Sequence, residues 1–346
     1  MKNFFLLLFT ILLFIGCKQS SENNIEGFFY GIIDIKGEIV KIDALIGTPS
    51  DLCCTDTRLL ILDRYDNYSL TIFDTENNRT IGRELQIGSG PGEVIWPLFI
   101  NLSNQGKQLN VFQRQSRIFN KYHFSGDKLS FIESAIIEKR PGSVVAIENG
   151  FVGYGMNIEM GRYGIYNKQG GFVQEAGVYQ HEDISTDYLT RLVLHEGYLC
   201  SHPNGTHFAF GEAHSDLLEF FSCENGEIQL LKRHGKGFIK AKLVIDGGNN
   251  SLIFDSSNIT GYKKAYSTEK YCYMLYSGKP YGEAEKTSQR YWSENIFVFD
   301  WNGNFVKSYR LDNEIRYFCV DESNNIIYGV VMHEGEMEIM KFKMFA

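Results

Sequence analysis

Residues 46–94 read IGTPSDLCCTDTRLLILDRYDNYSLTIFDTENNRTIGRELQIGSGPGEV, and this stretch decides the fold. Short runs rich in Leu, Ile, Tyr, Thr and Phe are separated by Asp, Asn, Thr and Gly, as in strands joined by tight turns. Residues 88–93 then redirect the chain, because glycine permits a sharp turn and Pro91 fixes φ. The stretch predicts one blade of a β-propeller, a small antiparallel sheet followed by a crossover to the next sheet.

The same hairpin recurs along the chain. In each copy a strand ends on an aromatic residue and a polar turn follows; these aromatic residues are Phe73, Tyr122, Tyr166, Phe221 and Phe299. The first three steps are 49, 44 and 55 residues long, which suits four-stranded blades. The last step of 78 residues contains two polar, Gly-rich stretches, 236–259 and 278–293. We interpret them as loop insertions rather than as a seventh blade.

The two ends of the chain complete the count of blades. Residues 315–320, 326–332 and 336–343 predict three strands of a last blade, and only the N-terminal segment 28–42 is available to supply the fourth. Such closure hides the edge strands that an open ring would expose. Period-two runs recur, whereas no long segment has the 3.6-residue period of a helix. We therefore predict an all-β, six-bladed propeller over residues 27–346, with its last blade closed by an N-terminal strand.

Two segments carry a resemblance to a known family. Residues 46–94, together with YCYMLYSGK at Tyr271 to Lys279, resemble the TolB-like six-bladed propeller lipoproteins of Bacteroidetes. The resemblance extends over nearly all of the mature chain and implies the six-bladed ring. It also implies that the glycines of residues 88–92 serve the crossover between blades. It names no reaction.

The N-terminus predicts export and a lipid anchor. Lys2 is followed by an apolar run from Phe4 to Ile15, which is too short to cross a bilayer and is typical of a signal peptide. Residues 13–17, LFIGC, resemble a lipobox, so we predict removal of residues 1–16 and acylation of Cys17, with residues 17–26 as a tether. Cleavage by an ordinary signal peptidase is the alternative. We expect an outer-membrane lipoprotein, and leave open which side it faces.

Composition restricts the partners. Without residues 1–16 the net charge is about −9, which argues against nucleic acid, because that ligand selects basic surfaces. Six cysteines remain besides Cys17, mostly inside apolar runs, so we expect buried thiols rather than a disulfide framework. We expect a monomer attached to the membrane through Cys17.

The sequence offers little chemistry. It contains no GxSxG elbow, HExxH, P-loop or dinucleotide-binding motif, so we assign no catalytic, cofactor or metal residue. His202, His207 and His214 are expected to be solvated or hydrogen-bonded rather than bound to a metal. Ca²⁺ is the one cofactor considered, since propeller enzymes often hold calcium at the channel mouth. Its candidate ligands near the ends of predicted inner strands are Asp51, Asn101, Glu148, Glu196, Glu269 and Asp321. We interpret these as turn residues.

The leading hypothesis is a binding or scaffolding module for a protein, peptide or glycan. Trp96 follows the first crossover, and Tyr281 and Trp292 lie in or beside a polar insertion. We expect these three aromatic residues to be exposed contacts for the partner. The alternative is a metal-dependent hydrolase or lyase of the lactonase-like propeller type.

Overall fold

The computed structural model describes residues 25–155, 161–179, 188–224, 226–246, 249–284 and 291–344. Cys17, the signal peptide and most of the tether lie outside the described residues. The described chain is mainly β-structure: four separate four-stranded antiparallel sheets, one eight-stranded sheet that contains the last two blades, and one two-stranded sheet. In the first five blades the strands follow one another in chain order from the inner to the outer edge.

The first four blades each form a separate sheet. Two short N-terminal strands, β1 (Ile33–Ile35) and β2 (Gly37–Ile39), precede the first blade, so blade 1 consists of β3 to β6. The strands of blades 1 and 2 are β3 (Asp51–Cys54), β4 (Arg58–Tyr65), β5 (Tyr68–Asp74), β6 (Arg79–Gln86), β7 (Phe99–Ser103), β8 (Gln108–Gln113), β9 (Ile118–Phe124) and β10 (Leu129–Ile136). Those of blades 3 and 4 are β11 (Pro141–Ile147), β12 (Gly150–Gly155), β13 (Tyr163–Tyr166), β14 (Phe172–Ala176), β15 (Gly197–Ser201), β16 (His207–Glu212), β17 (Leu218–Glu224) and β18 (Glu227–His234).

The last two blades share one long strand. Blade 5 contains β21 (Tyr262–Ser267), β22 (Tyr271–Tyr276), β23 (Ser293–Asp300) and the first half of β24 (Phe305–Asp321). The second half of β24 is the inner strand of blade 6, followed by β25 (Ile326–His333) and β26 (Glu336–Lys343). Strand β2 pairs antiparallel with β26, with Gly37 opposite Phe342 and Ile39 opposite Met340. The predicted closure by an N-terminal strand is confirmed.

The N-terminal segment also covers blade 5. Strand β1 pairs in parallel with the outer half of β24, with Ile33 opposite Tyr309. Before it, a 3₁₀ turn at Ile25–Phe29 buries Ile25 and Phe28 in the core between blades 4 and 5. Ile25 belongs to the segment predicted as a tether, so ordered packing begins before residue 27. One short segment thus fastens two neighbouring blades.

The core lies between the blades rather than inside one sheet. The buried apolar residues of the described chain form six clusters, and each joins two neighbouring blades. One cluster packs Tyr328 and Val330 of blade 6 against Leu59 and Ile61 of blade 1, which closes the ring. Stacked sheets suit large flat side chains, and this accounts for the many aromatic residues. The six cysteines Cys53, Cys54, Cys200, Cys223, Cys272 and Cys319 are buried and free, as the sequence predicts.

The repeated aromatic hairpins lie where the sequence predicts them, because each joins the third and fourth strands of its blade. The first predicted insertion forms a separate two-stranded sheet of β19 (Ala241–Asp246) and β20 (Asn249–Phe254). The second contains a short helix, α2 (Tyr281–Ala284). The apolar residues of RLVLHE at 191–196 predict the inner strand of blade 4 there. That prediction is wrong, because helix α1 (Tyr188–Leu194) occupies most of the range and the strand begins at Gly197. No helix among the described residues is both long and apolar enough to cross a bilayer.

Candidate functional site

A cavity of about 440 Å³ occupies the channel at the centre of the ring. The inner strands β7, β11, β15, β21 and the second half of β24 line it; β15 and β21 do so along nearly their whole length, and the other three mainly near their first positions. Inner strands neighbour one another around the axis, so the residues that begin them meet at one end of the channel. Leu98 and Tyr291 are about 40% exposed and also line the cavity, which marks its mouth at that end.

Four basic side chains line this cavity. They are Arg114, Lys263, Lys264 and Arg316, and among the described residues of the lining Glu196 is the only acidic one. Behind the wall, the buried carboxylate of Asp51 lies 2.6 Å from Nζ of Lys264. Asp51 also accepts hydrogen bonds from the backbone N–H groups of Leu52 and Ile100. The cations outnumber the carboxylates by four to two, in a chain whose net charge is −8.

Glu196 lies at the mouth of the cavity and pairs with His214. Its carboxylate lies 3.0 Å from Nε2 of His214. Burial acts to raise the pKa of Glu196, but His214 and the charges of Arg114 and Lys263 outweigh it and lower the pKa. Glu196 is therefore ionised at neutral pH. Its charge is shared among several basic groups, so it does not neutralise all of them.

Arg316 and Arg114 are the cations least committed to carboxylates. In the described part of the chain, neither has a carboxylate oxygen within 4 Å. The guanidinium carbon of Arg316 lies 5.5 Å from the ring centre of Tyr291 and 5.2 Å from that of Tyr317, distances that suit cation–π attraction. Aromatic rings hold a guanidinium in place without removing its charge. Arg316 thus presents a positive charge to the cavity.

Hydroxyl groups and aromatic rings make up much of the remaining wall. The lining includes five tyrosines, three serines and one asparagine: Tyr154, Tyr198, Tyr266, Tyr291, Tyr317, Ser143, Ser201, Ser267 and Asn101. Burial, with the nearby charge of Glu196, raises the pKa of Tyr154 to about 12. Burial likewise raises the pKa of Tyr266 and Tyr317. The phenols of Tyr154, Tyr266 and Tyr317 therefore stay protonated at neutral pH.

The acids and amides considered as calcium ligands do not form one ring. Asp51, Asn101 and Glu196 lie near the beginnings of inner strands, whereas Glu148, Glu269 and Asp321 lie at or beyond their ends. Because these strands share one direction around the axis, the two groups belong to opposite ends of the channel. Asp321 accepts hydrogen bonds from Asn324 in the next turn, which is the turn role that the sequence predicts for it.

The three aromatic residues chosen from the sequence have different surroundings. Trp96 is 59% exposed, lies two residues before the cavity-lining Leu98, and stacks under the guanidinium of Arg64 at 4.3 Å. Tyr281 is partly buried, with its ring 5.1 Å from Phe254 of the inserted hairpin. Trp292 is only 4% exposed and packs in the cluster between blades 6 and 1. The expected exposure of Trp292 was therefore wrong.

Sequence reasoning missed the basic side chains of the cavity. Carboxylates and metal ligands have recognisable motifs, whereas basic residues at the start of inner strands do not. The pairs Lys263–Lys264 and Arg316–Tyr317 carried the signal, because each stands at such a start in a chain of net negative charge. The three histidines are hydrogen-bonded, as expected: His202 to the Glu269 carbonyl, His207 to Thr206 and His214 to Glu196.

A second charged cluster is buried between blades 3 and 4. Arg162, which is 1% exposed, contacts the carboxylates of Glu212 and Glu219. Glu212 is also bound by Nδ1 of His195 at 2.7 Å and by the Ser215 hydroxyl. Buried charges need such partners, because an unpaired one carries a large desolvation cost. The cluster joins blades 3 and 4, and none of these residues lines the cavity.

Comparison with known proteins places this geometry in a family. The chain is similar to an exported protein of Bacteroides fragilis, with 14% identity, a TM-score of 0.53 and coverage of 90% of this chain and 98% of that one. It is also similar to a duf4221 family member of Bacteroides vulgatus, with 9% identity, a TM-score of 0.51 and coverage of 90% and 96%. Raptor of Chaetomium thermophilum matches with 12% identity, a TM-score of 0.51 and coverage of 94% and 30%.

These solved structures share the fold with the chain at low identity. A search of curated proteins finds no match. The model of the TolB-like 6-blade propeller-like family matches residues 29–323. That range begins in the turn before β1 and extends through the inner strand of blade 6. The chain therefore belongs to the TolB-like six-bladed propeller family.

Proposed function

We propose that this protein is a lipid-anchored binding module of the bacterial envelope, and that it binds part of a protein, peptide or glycan in the central cavity. The observation that carries the proposal is the cavity itself, of about 440 Å³, with an aromatic and polar wall and an open mouth. Concave sites of this size with a few convergent polar groups are typical of ligand pockets. Trp96 and Tyr291 would contact the part of the ligand that stays outside.

The envelope location rests on the N-terminal sequence. The short apolar run ends in a lipobox-like LFIGC motif, which supports export and acylation of Cys17 at the outer membrane. The structurally similar protein of Bacteroides fragilis is described as exported, which agrees with the same compartment. The negative net charge of the chain speaks against nucleic acid as the partner.

Binding is favoured over metal-dependent catalysis by the state of the carboxylates. Asp51 is committed to Lys264 and to two backbone N–H groups, and Glu196 is committed to His214. The other candidate acids belong to the opposite end of the channel. A basic, hydroxyl-rich mouth suits recognition of a polar ligand better than coordination of Ca²⁺, which prefers several convergent oxygen ligands.

A filled cavity tests the proposal. Ser143→Trp places a large side chain in the wall of the cavity, and Ser134→Trp, on the exposed face of β10, is its matched control. Fractionated hydrolysates of bacterial envelope glycans and tryptic peptides of envelope proteins serve as probes in a thermal-shift assay. We expect at least one fraction to raise the melting temperature of the native chain and of Ser134→Trp, but not of Ser143→Trp. The proposal fails if no fraction distinguishes Ser143→Trp from the other two proteins.

A further inference from the structure

We propose that the ligand part held in the cavity is an acidic sugar, one or two rings in size, with a carboxylate or sulfate as its charged group. This inference rests on the proposed binding function and adds the class of ligand. It follows from three properties of the wall: its excess of positive charge, its density of hydroxyl groups and its aromatic surface.

The charge of the wall selects an anion. Lys264 is matched by Asp51 at 2.6 Å, and Glu196 is shared among His214, Arg114 and Lys263. In the described part of the chain, the guanidinium of Arg316 lies near the rings of Tyr291 and Tyr317 and hydrogen-bonds the Tyr317 side chain, and no carboxylate oxygen lies within 4 Å of it. A carboxylate or sulfate bound there would form charge-assisted hydrogen bonds, which are stronger than neutral ones. A guanidinium also matches the geometry of either group with two parallel N–H donors.

The neutral part of the wall selects a hydroxylated ligand. Five phenols, three serine hydroxyls and a carboxamide line the same space. Tyr154, Tyr266 and Tyr317 already have partners in the protein, and a ligand without polar groups would offer no partner to the remaining groups. Buried polar groups left without partners oppose binding. A sugar carries several hydroxyls that both donate and accept, whereas a fatty acid or an aliphatic carboxylate does not.

The aromatic surface and the volume suit a sugar ring. Tyrosine rings at the wall offer apolar faces to the C–H face of a pyranose, and their hydroxyls stay available for hydrogen bonds. A cavity of about 440 Å³ lies at the lower end of the usual range for small-molecule pockets. It therefore accepts one or two sugar rings, and a longer glycan would continue past Tyr291 and Trp96 at the mouth.

Matched pairs of sugars test the inference. Glucuronate is compared with glucose, galacturonate with galactose, and 6-sulfated N-acetylglucosamine with N-acetylglucosamine, by calorimetric titration of the mature chain at low salt. We expect at least one acidic member to bind and its neutral parent to bind far more weakly. Arg316→Gln should weaken binding of the acidic sugar by about tenfold or more, while Lys128→Gln, at the ion pair with Glu84 on the surface, leaves it unchanged. Added salt should weaken binding of the acidic member.

Three other results of these titrations would overturn the inference of an acidic sugar. If neutral sugars or peptides bind as tightly as the acidic sugars and Ser143→Trp abolishes that binding, the cavity is a binding site but the inference of an acidic ligand is overturned. If an acidic sugar binds equally well to Arg316→Gln and to Ser143→Trp, it binds elsewhere and the inference is overturned. Inorganic sulfate that binds as tightly as the sulfated sugar would show recognition of charge alone, and would also overturn it.

Discussion

Charged residues serve two different purposes in this ring. In the described lining of the cavity the basic groups outnumber the acidic ones, so a net positive charge remains there. Between blades 3 and 4, Arg162 is surrounded by Glu212 and Glu219, so the charges compensate one another. Glu212 is fully buried and still ionised, because its partners offset the cost of burial.

The ionised state of Glu212 predicts a loss of stability in acid. Burial acts to raise its pKa, but Arg162, His195 and Ser215 outweigh burial and lower the pKa from 4.5 to about 2. A carboxyl with a lowered pKa stabilises the fold above its unfolded pKa, and this stabilisation disappears as the pH falls from about 4.5 towards 2. The shift corresponds to about 3 kcal/mol in the free energy of unfolding.

Urea unfolding at pH values between 5 and 2.5 measures this loss. We expect the unfolding free energy of the native chain to fall over that range, and Glu212→Gln to give a less stable protein with a flatter pH profile. Glu133→Gln, at an exposed ion pair with Lys121, is the control and should retain the native profile. An unchanged slope in Glu212→Gln would show that other carboxyl groups cause the acid sensitivity.

Neighbouring residues show why sequence reasoning reached only part of the site. It chose Trp292 as an exposed contact, whereas Tyr291 lines the cavity mouth and Trp292 is buried. Adjacent side chains in extended backbone point to opposite sides, so an error of one residue reverses the result. The segment before β23 has no alternating pattern that fixes which side faces inward. Only packing against Val40 and Leu52 of other blades decides it.

Among the elements, the shortest strands close the ring. Strand β2 has three residues, and Val40 beyond it donates its N–H to the Ile339 carbonyl at 2.8 Å. Gly37 faces Met340 and Phe342 so closely that a Cβ there would overlap Met340 and lie 2.6 Å from Cε1 of Phe342. The closure therefore depends on a residue without a side chain at position 37.

A substitution at Gly37 tests the closure. We expect Gly37→Val to push β2 away from β26 and to lower the unfolding free energy by about 1–3 kcal/mol, the usual effect of overpacking. Glu38→Val is the matched control, since the Glu38 side chain is 70% exposed and pairs only at the surface with Lys341. Chemical denaturation and size-exclusion chromatography measure stability and aggregation. Equal stability of the two variants would contradict a structural role for β2 in closing the ring.

Strand order was predictable where strands alternate and turns are polar. The hairpins ending at Phe73, Tyr122, Tyr166, Phe221 and Phe299 were placed correctly, because β-branched and aromatic runs stop at Asx and Gly turns. The inner strand of blade 4 was displaced by several residues. There the sequence YLTRLVL forms helix α1, and a run of mixed apolar residues does not distinguish a short helix from a strand.

At the scale of the whole molecule, six cores rather than one hold the blades together. Sequence reasoning predicted this architecture, since the repeat fixes the number of blades and the two chain ends supply the missing strand. It did not predict the cavity charge, which arises only when residues distant in sequence, such as Arg114 and Arg316, meet around one axis. The spacing of residues along the chain does not show which of them become neighbours around the axis.

Membrane attachment is a prediction about the whole molecule, and it concerns Cys17. We expect Cys17→Ala to move the protein from the membrane fraction to the soluble fraction, or to leave the signal peptide uncleaved, because an acylated cysteine supplies the anchoring chains. Ser20→Ala in the same segment is the control and should remain in the membrane fraction. Mass spectrometry of the N-terminal peptide identifies the modification. An unmodified N-terminus downstream of Cys17 in the native protein would contradict the anchor.

If Cys17 is acylated, the early packing of Ile25 would limit the distance between the ring and the lipid bilayer. With Ile25 buried in the core, only residues 18–24 separate it from Cys17, and a fully extended chain across that gap spans about 28 Å. This tether length is similar to the diameter of a small domain. An acylated protein would thus keep its cavity within a few nanometres of the headgroups. Ligands would have to come to the membrane surface to be captured.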